Sequence, residues 1–395
     1  MKILVIGNYS PSGSESMRQF ATLLAGLLEE AGHDVRLVRP TPILGKLKSG
    51  EAGLAKWLGY VDRFLLFPPR LLWVAGRADR VHVCDHSNAM YVRWLRGRPH
   101  VVTCHDMIAI RSAIGEIPEH PTRWSGRIQQ RWTLRWLRRA QHVVCVSEQT
   151  RTELVRLTGL PAGRTSVVPN VPNYPYRPMD RAEASLHLGR LGLADARPFL
   201  FHVGGNQWYK NRVGVLRIFK EIVSAPEHAG LRLVMAGKPW TNSMHDYVRQ
   251  AGMEGRVIEL TNVSNEELRA LYSTAEALLF PSLYEGFGWP IIEAQACGCP
   301  VFTSDRLPMT EVGGRGAVYF DPADELGAAR IVAAHLGDRD GIRILAAENP
   351  NRFSRDTMLA GYLEAYRKVV AERTGRHDSD SSAEAKADRK SRYAK

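Results

Sequence analysis

Two α/β domains, each a parallel sheet wound on both faces by helices, are what this sequence predicts. Three observations predict them. At 395 residues, 44% of them hydrophobic, the chain exceeds what one core usually organises. Two series of short β-branched runs alternate with amphipathic stretches, the pattern of parallel βαβ units. Between the series, Pro169, Pro172, Pro175 and Pro178 follow in close succession and break the alternation.

In the first series "KILVIG", "HDVRLV", "RVHVC", "HVVTC" and "HVVCVS" read as strands. The stretch "SMRQFATLLAGLLEEAG" puts Phe20, Leu23, Leu24, Leu27 and Leu28 on one helical face that ends at Gly32. The second series has strands "PFLFHVGG", "LRLVMAG", "RVIEL", "ALLFPS" and "CPVFTS", with helices such as "NRVGVLRIFKEIV" and "NEELRALYSTA" between them. The expected domains are therefore 1–175 and 176–352, bracketing a cleft, and in such sheets ligands collect beyond the carboxyl ends of the strands. A terminal helix over 353–373 is expected to pack back toward the first domain. The tail 374–395 has almost no apolar residues and reads as disordered.

Composition excludes several classes. No run of about 18 apolar residues appears, and no small-residue cleavage site follows the first strand, so a spanning or secreted chain is not expected. The five cysteines, Cys84, Cys104, Cys145, Cys297 and Cys299, are odd in number, and the first three sit in or beside strands, which predicts reduced, buried thiols in a cytosol. Cys297 and Cys299 lack a histidine or second cysteine pair at zinc-ligand spacing. The charge is one-sided. Through Pro175 there are 24 Lys and Arg against 13 Asp and Glu, and the remainder has 29 against 28, so nearly all of the net +12 lies in the first half. Such a domain predicts an anionic partner. Two Asp-x-Asp pairs, Asp338/Asp340 and Asp378/Asp380, follow no buried strand and read as solvated surface rather than metal ligands.

The stretch "FPSLYEGFGWPIIEAQACGCP" carries the chemistry. After a buried strand come Gly286 and Gly288, then Pro290 as the expected first residue of a helix. Glycines admit a ligand close to the backbone, and a fresh helix N-terminus offers unpaired N–H groups to phosphate. Glu285 falls in the loop and Glu293 in the expected first helical turn. Two acids beside an anion site are unfavourable unless they point elsewhere, and carboxylates are good acceptors for sugar diols. A capping acid plus a solvated one is the alternative.

This stretch, continued through "VFTSDRLPMTEVGG", is similar to the donor-binding signature of the retaining glycosyltransferases of family 4, which have the GT-B fold, and the resemblance runs over most of the chain. It implies that Glu285 faces the transferred hexose and Glu293 the ribose of a nucleotide-sugar donor. In "HVGGNQWYKNR" it implies a diphosphate site of Gly204, Gly205, Lys210 and Asn211. Many members have an arginine a few positions before the lysine where this chain has Asn206, so Arg212 or backbone amides must supply the second positive contribution. Lys238, Gly286, Phe287 and Gly288 complete the implied donor site. "VVTCHDMIAI" resembles the family's strand followed by His-Asp and implies that His105, beside Asp106, contacts the hexose. Gly13 and Ser14 occupy the family's loop near donor phosphate and acceptor. The family's glycine after Asn170 is Val171 here, which predicts a different turn.

The reaction so implied is retaining transfer of a hexose from a nucleotide-diphosphate sugar, with no cofactor and no metal. Lys210, the helix N-terminus behind Gly288 and Lys238 would stabilise the departing diphosphate electrostatically. The pair Glu285/Glu293 resembles the two carboxylates of a retaining glycosidase, but a glutamate committed to ribose does not serve as nucleophile. A nucleotide-sugar epimerase of the same fold and a non-catalytic nucleotide-sugar-binding partner remain as alternatives.

Arg123, Arg127, Arg131 and Arg135 repeat every four residues, joined by Arg138 and Arg139, with Trp124, Trp132 and Trp136 interleaved. A basic stripe with an aromatic flank is the composition of interfacial binding. It predicts docking on an anionic membrane, a sugar or lipid-linked sugar acceptor, and a cytoplasmic protein peripheral to the inner face. The alternative is that the tryptophans pack the helix and the arginines are merely solvated. No nucleic-acid reading module accompanies the charge.

Overall fold

The computed structural model describes residues 1–9, 15–47, 53–95, 97–194, 198–336 and 339–370. Gly13, Ser14, Asp338 and the tail with Asp378 and Asp380 lie outside them. The chain forms two compact units, Met1–Pro169 together with a helix over 355–370, and Asn170–Ser354.

The first unit is a six-stranded parallel sheet of β1 (Lys2–Ile6), β2 (Asp34–Val38), β3 (Arg80–Val83), β4 (His100–Cys104), β5 (His142–Cys145) and β6 (Thr165–Val167), in the order β2-β1-β3-β4-β5-β6. Central strands covered on both faces read as continuous apolar runs, and every residue of β4 and β5 is buried. The helix Glu15–Glu30 buries Phe20, Leu24, Leu27 and Leu28 and ends where Gly32 takes φ +79°. The helix over 355–370 seats fully buried Tyr362 and Tyr366 beside β3 and β4. His82 joins them, with Nδ1 2.7 Å from the Tyr366 hydroxyl and Nε2 2.8 Å from Thr103, whose hydroxyl lies 3.2 Å from that of Tyr362. Burial pushes His82 down to about 3, so the ring is neutral.

The second unit repeats the plan with β7 (Phe199–Gly204), β8 (Arg232–Gly237), β9 (Val257–Thr261), β10 (Ala277–Phe280), β11 (Val301–Ser304) and β12 (Ala317–Phe320), in the order β12-β11-β10-β7-β8-β9. All pairings are parallel. Winding reverses between β7 and β10, which opens a crevice beyond their carboxyl ends. The short strands β6 and β12 are the two that the sequence series omits. All five cysteines are buried and free of disulfides. Among the described residues no helix is long and apolar enough to cross a membrane.

Gly237 closes β8 at φ +137°, paired with Gly204 on β7, and a Cβ there would lie 2.0 Å from the Gly204 carbonyl oxygen. Gly237→Ala is therefore expected to destabilise the second unit by about 3 kcal/mol, read from urea denaturation, because both the backbone and the contact are incompatible with a side chain.

Candidate functional site

The site grows from the reversal point of the second sheet. β7 ends at Gly204, and a short turn of helix, Trp208–Lys210, leads to Asn211, which caps the helix Arg212–Val223 in the left-handed region at φ +51°. Only glycine and asparagine adopt that conformation readily, which accounts physically for a Lys-Gly or Lys-Asn pair here. Two bonds stitch the loops after β7 and β10 together: Asn211 Nδ2 donates to the Pro281 carbonyl at 3.1 Å, and the Leu283 amide donates to the Tyr209 carbonyl at 2.7 Å. Across this seam Lys210 Nζ reaches both oxygens of Glu285, at 2.8 and 2.9 Å. The two side chains are only 18% and 7% exposed. The ammonium also lies 5.5 Å from the centre of the Phe280 ring.

Gly288, at φ +101°, turns the chain into the helix Trp289–Ala296. Pro290 is its second residue rather than the first, and Glu293 lies a full turn in rather than in the first turn. The carboxyl is buried and accepts the Tyr272 hydroxyl on Oε2 at 2.9 Å, with the Tyr176 ring 5.8 Å from that of Tyr272. Burial lifts Glu293 to about 7, against the Tyr272 hydrogen bond and the Lys210 charge. Val171, where a glycine was the family expectation, has no left-handed backbone; it is buried, and its carbonyl accepts the Trp289 indole N–H at 3.0 Å.

Behind Lys210, buried Arg212 donates from one nitrogen to Asn206 Oδ1 at 2.5 Å and to the Lys238 carbonyl at 2.8 Å, while Asn206 Nδ2 donates to the Pro239 carbonyl at 2.7 Å. Arg212 thus straps the loop after β7 to the loop after β8. Its Nε and other terminal nitrogen have no partner among the described residues. Lys238 is exposed at the end of β8. Phe287 turns inward against Phe353 at 5.6 Å, which leaves its backbone alone to face a ligand.

In the first unit His105 follows β4, buried, with Nε2 2.8 Å from the Cys84 carbonyl, so that nitrogen carries the proton and donates. Nδ1 is buried without a partner among the described residues, and the Phe20 ring meets the imidazole edge-on at 4.6 Å. Burial holds His105 below the ordinary histidine value, against the charge of Asp85. Asp106 caps the next helix by accepting the Ile108 amide at 2.9 Å. Sequence reasoning missed the network beside it: Asn8 donates to Asp85 at 2.5 Å, and Asn88 donates to Asn8 at 2.8 Å. Burial opposes ionisation of Asp85, yet His86, His105, Asn8 and the Ser87 amide hold its carboxyl below the usual range. The signal was present, since Asn8 and Asp85 follow β1 and β3, between which this sheet reverses.

With this geometry in hand the relatives can be read. The family described as Glycosyltransferase Family 4 matches residues 17–171, and Glycosyl transferases group 1 matches 187–344. The D-inositol 3-phosphate glycosyltransferase of Nocardia farcinica is 31% identical over 322 residues, covering 75% of this chain and 68% of that one. The chain belongs to this glycosyltransferase family. The O-antigen chain mannosyltransferase B of Escherichia coli is 28% identical to this glycosyltransferase over 310 residues, 77% of its length and 78% of the relative's. In fold it matches Anabaena HepE, solved with UDP and glucose, at a TM-score of 0.68 and 19% identity, covering 92% and 98% of the two chains. The parallel sheets with their surrounding helices are thus those of the GT-B class.

Within the second unit the glycosyltransferase brings together Gly204, Gly205, Lys210, Glu285, Gly286 and Gly288 around the reversal point, with Glu293 buried behind. Among the described residues, Glu183, His187 and Glu266 are close enough to share a metal ion, but the Arg269 guanidinium already reaches both carboxylates, at 3.6 and 3.1 Å. The raised Glu293 carboxyl has a direct consequence for stability. Its folded value of about 7 exceeds the ordinary 4.5, so its neutral form favours folding; that contribution is complete below about pH 4.5 and is lost as pH rises through about 7. Relative to Glu293→Gln, the wild type is expected to lose roughly 3 kcal/mol of folding stability across that window, measured by urea denaturation at each pH.

Proposed function

We propose that this glycosyltransferase moves a hexose from a nucleotide-diphosphate sugar to a hydroxyl of a sugar or lipid-linked sugar acceptor, with retention and without a metal, in assembly of a surface polysaccharide or other glycoconjugate. The observation that carries the reading is the Lys210–Glu285 pair at the sheet reversal, beside the N-terminus of the helix at Gly288. An ammonium and the positive end of a helix dipole are suited to a diphosphate leaving group. When the donor binds, the diphosphate competes for Lys210, and Glu285 is released to accept hydrogen bonds from the hexose hydroxyls. The anomeric carbon–oxygen bond then breaks, with its electron pair leaving on the diphosphate. The acceptor oxygen bonds to the same face of that carbon, and its proton passes to the departing phosphate.

No protein nucleophile is assigned, and the burial of Glu293 against Tyr272 supports that choice over a glycosidase-like carboxylate pair. Glu293 is the ribose acceptor on this reading, and the spare N–H groups of Arg212 supply the second positive contribution near the phosphates. His105, its Nδ1 an open acceptor, is assigned to a hexose hydroxyl. The likeness to an inositol 3-phosphate glycosyltransferase and to an O-antigen chain mannosyltransferase supports sugar transfer onto a hydroxyl, and the likeness to HepE, solved with UDP and glucose, supports a nucleotide donor. The protein is placed in the cytoplasm, peripheral to the membrane.

A thermal-shift screen of UDP, GDP, ADP and dTDP and their hexose conjugates tests the donor site; one nucleotide is expected to stabilise the wild type and to do so less for Glu293→Ala. Lys210→Ala is expected to lower kcat/KM for the donor about 100- to 1,000-fold, the usual loss of one group that stabilises developing charge. His105→Ala should reduce turnover while leaving nucleotide binding intact. No shift with any nucleotide overturns the reading, and a changed free sugar without acceptor product turns it to the epimerase.

A further inference from the structure

The first unit carries an outward helix face that is apolar where a solvated face is expected to be polar. The chain is helical from 53 to 75. Its inner side buries Phe67, Leu71, Val74 and Ala75. Its exposed side chains include Trp57 near the start and Leu65, Leu66, Leu72 and Trp73 further on; Trp57 is 56% and Trp73 57% exposed. The helix Trp124–Leu137 lies alongside. A chain of ring contacts, Trp57 to Tyr60 at 5.6 Å, Tyr60 to Phe64 at 5.4 Å and Phe64 to Trp132 at 5.5 Å, joins the two, and the Tyr60 hydroxyl donates to Gln129 at 2.8 Å.

That second helix divides its residues sharply. Trp136 is buried and Trp132 packs on the core, so those two follow the packing alternative. Trp124 is 70% exposed, with Ile128 exposed one turn on. Arg131 and Arg135 continue the same stripe, and with Arg138, Arg139 and Leu134 they line an open groove of about 740 Å³. Among the described residues no carboxylate pairs with any of these four arginines.

We propose that this combined face docks on an anionic lipid bilayer: the Leu65–Trp73 side and Trp57, Trp124 and Ile128 enter the head-group layer, while the arginine groove holds lipid phosphates. Apolar side chains rimmed by guanidiniums that no described carboxylate neutralises are suited to an interface that is apolar inside and anionic at its rim. A second copy would set arginine against arginine, and a nucleic acid offers the leucines nothing. The inference deepens the peripheral-membrane part of the proposed function and is independent of the donor chemistry, which the nucleotide screen tests separately.

The test is flotation of the full chain with phosphatidylcholine vesicles with and without phosphatidylglycerol, together with quenching of tryptophan fluorescence by brominated lipid. Binding to the anionic vesicles alone is expected, with quenching that survives partly in high salt. A Leu65→Ser, Leu72→Ser, Trp73→Ser variant is expected to lose binding at least tenfold, and an Arg131→Glu, Arg135→Glu variant to lose roughly fivefold or more per arginine. Since all five positions are exposed, unchanged melting temperature and nucleotide shift are expected to show that both variants fold. Absence of flotation overturns the proposal, as does flotation unaffected by either variant. It is equally overturned if the apolar variant only converts a dimer to a monomer, which would make a second copy the occupant.

Discussion

The reversal point of the second unit depends on one ion pair. Lys210 and Glu285 come from loops that follow neighbouring strands running in opposite senses of winding, and each is largely withdrawn from water. Removing either partner leaves a desolvated charge, which is costly, so the pair constrains the two loops to meet. The backbone is built to let them do so. Asn211 holds a left-handed cap, the Leu283 amide is bonded to the Tyr209 carbonyl, and Arg212 ties in the loop after β8.

The first unit meets the same constraint with a hydrogen-bonded network at its reversal point. At its reversal point Asn8, Asp85 and Asn88 form a buried polar chain, and His105 beside it is held in one tautomer by the Cys84 carbonyl. A further buried set, His82, Thr103, Tyr362 and Tyr366, anchors the helix over 355–370 to the sheet. Buried polar groups that are satisfied specify one arrangement, since every alternative leaves one unpaired. Among the described residues His105 Nδ1 is one of the buried atoms left without a partner.

Much of this was legible before any coordinates. Hydrophobic period marked ten of the strands, because buried parallel strands are apolar along their whole length. The placement of Glu285 and Lys210 in loops after strands, and of His105 directly after β4, was legible because glycines at a strand end and a proline opening a helix encode backbone shape locally. The strands β6 and β12 were not, since three or four residues carry too little period. Nor were Tyr272 and Tyr176, which reach Glu293 from elsewhere in the chain.

What the sequence determined by itself was therefore the class of fold, the backbone shape of the loops at the sheet reversal and the one-sided charge, all properties of residues near one another in the chain. Only the tertiary structure decided which charges pair, which acid is buried, and which tryptophans face water. Packing buried Trp136 and left Trp124 outside, although both sit in the same arginine-rich stretch. Side-chain environment is set by contacts between segments far apart in sequence, and no local pattern contains them.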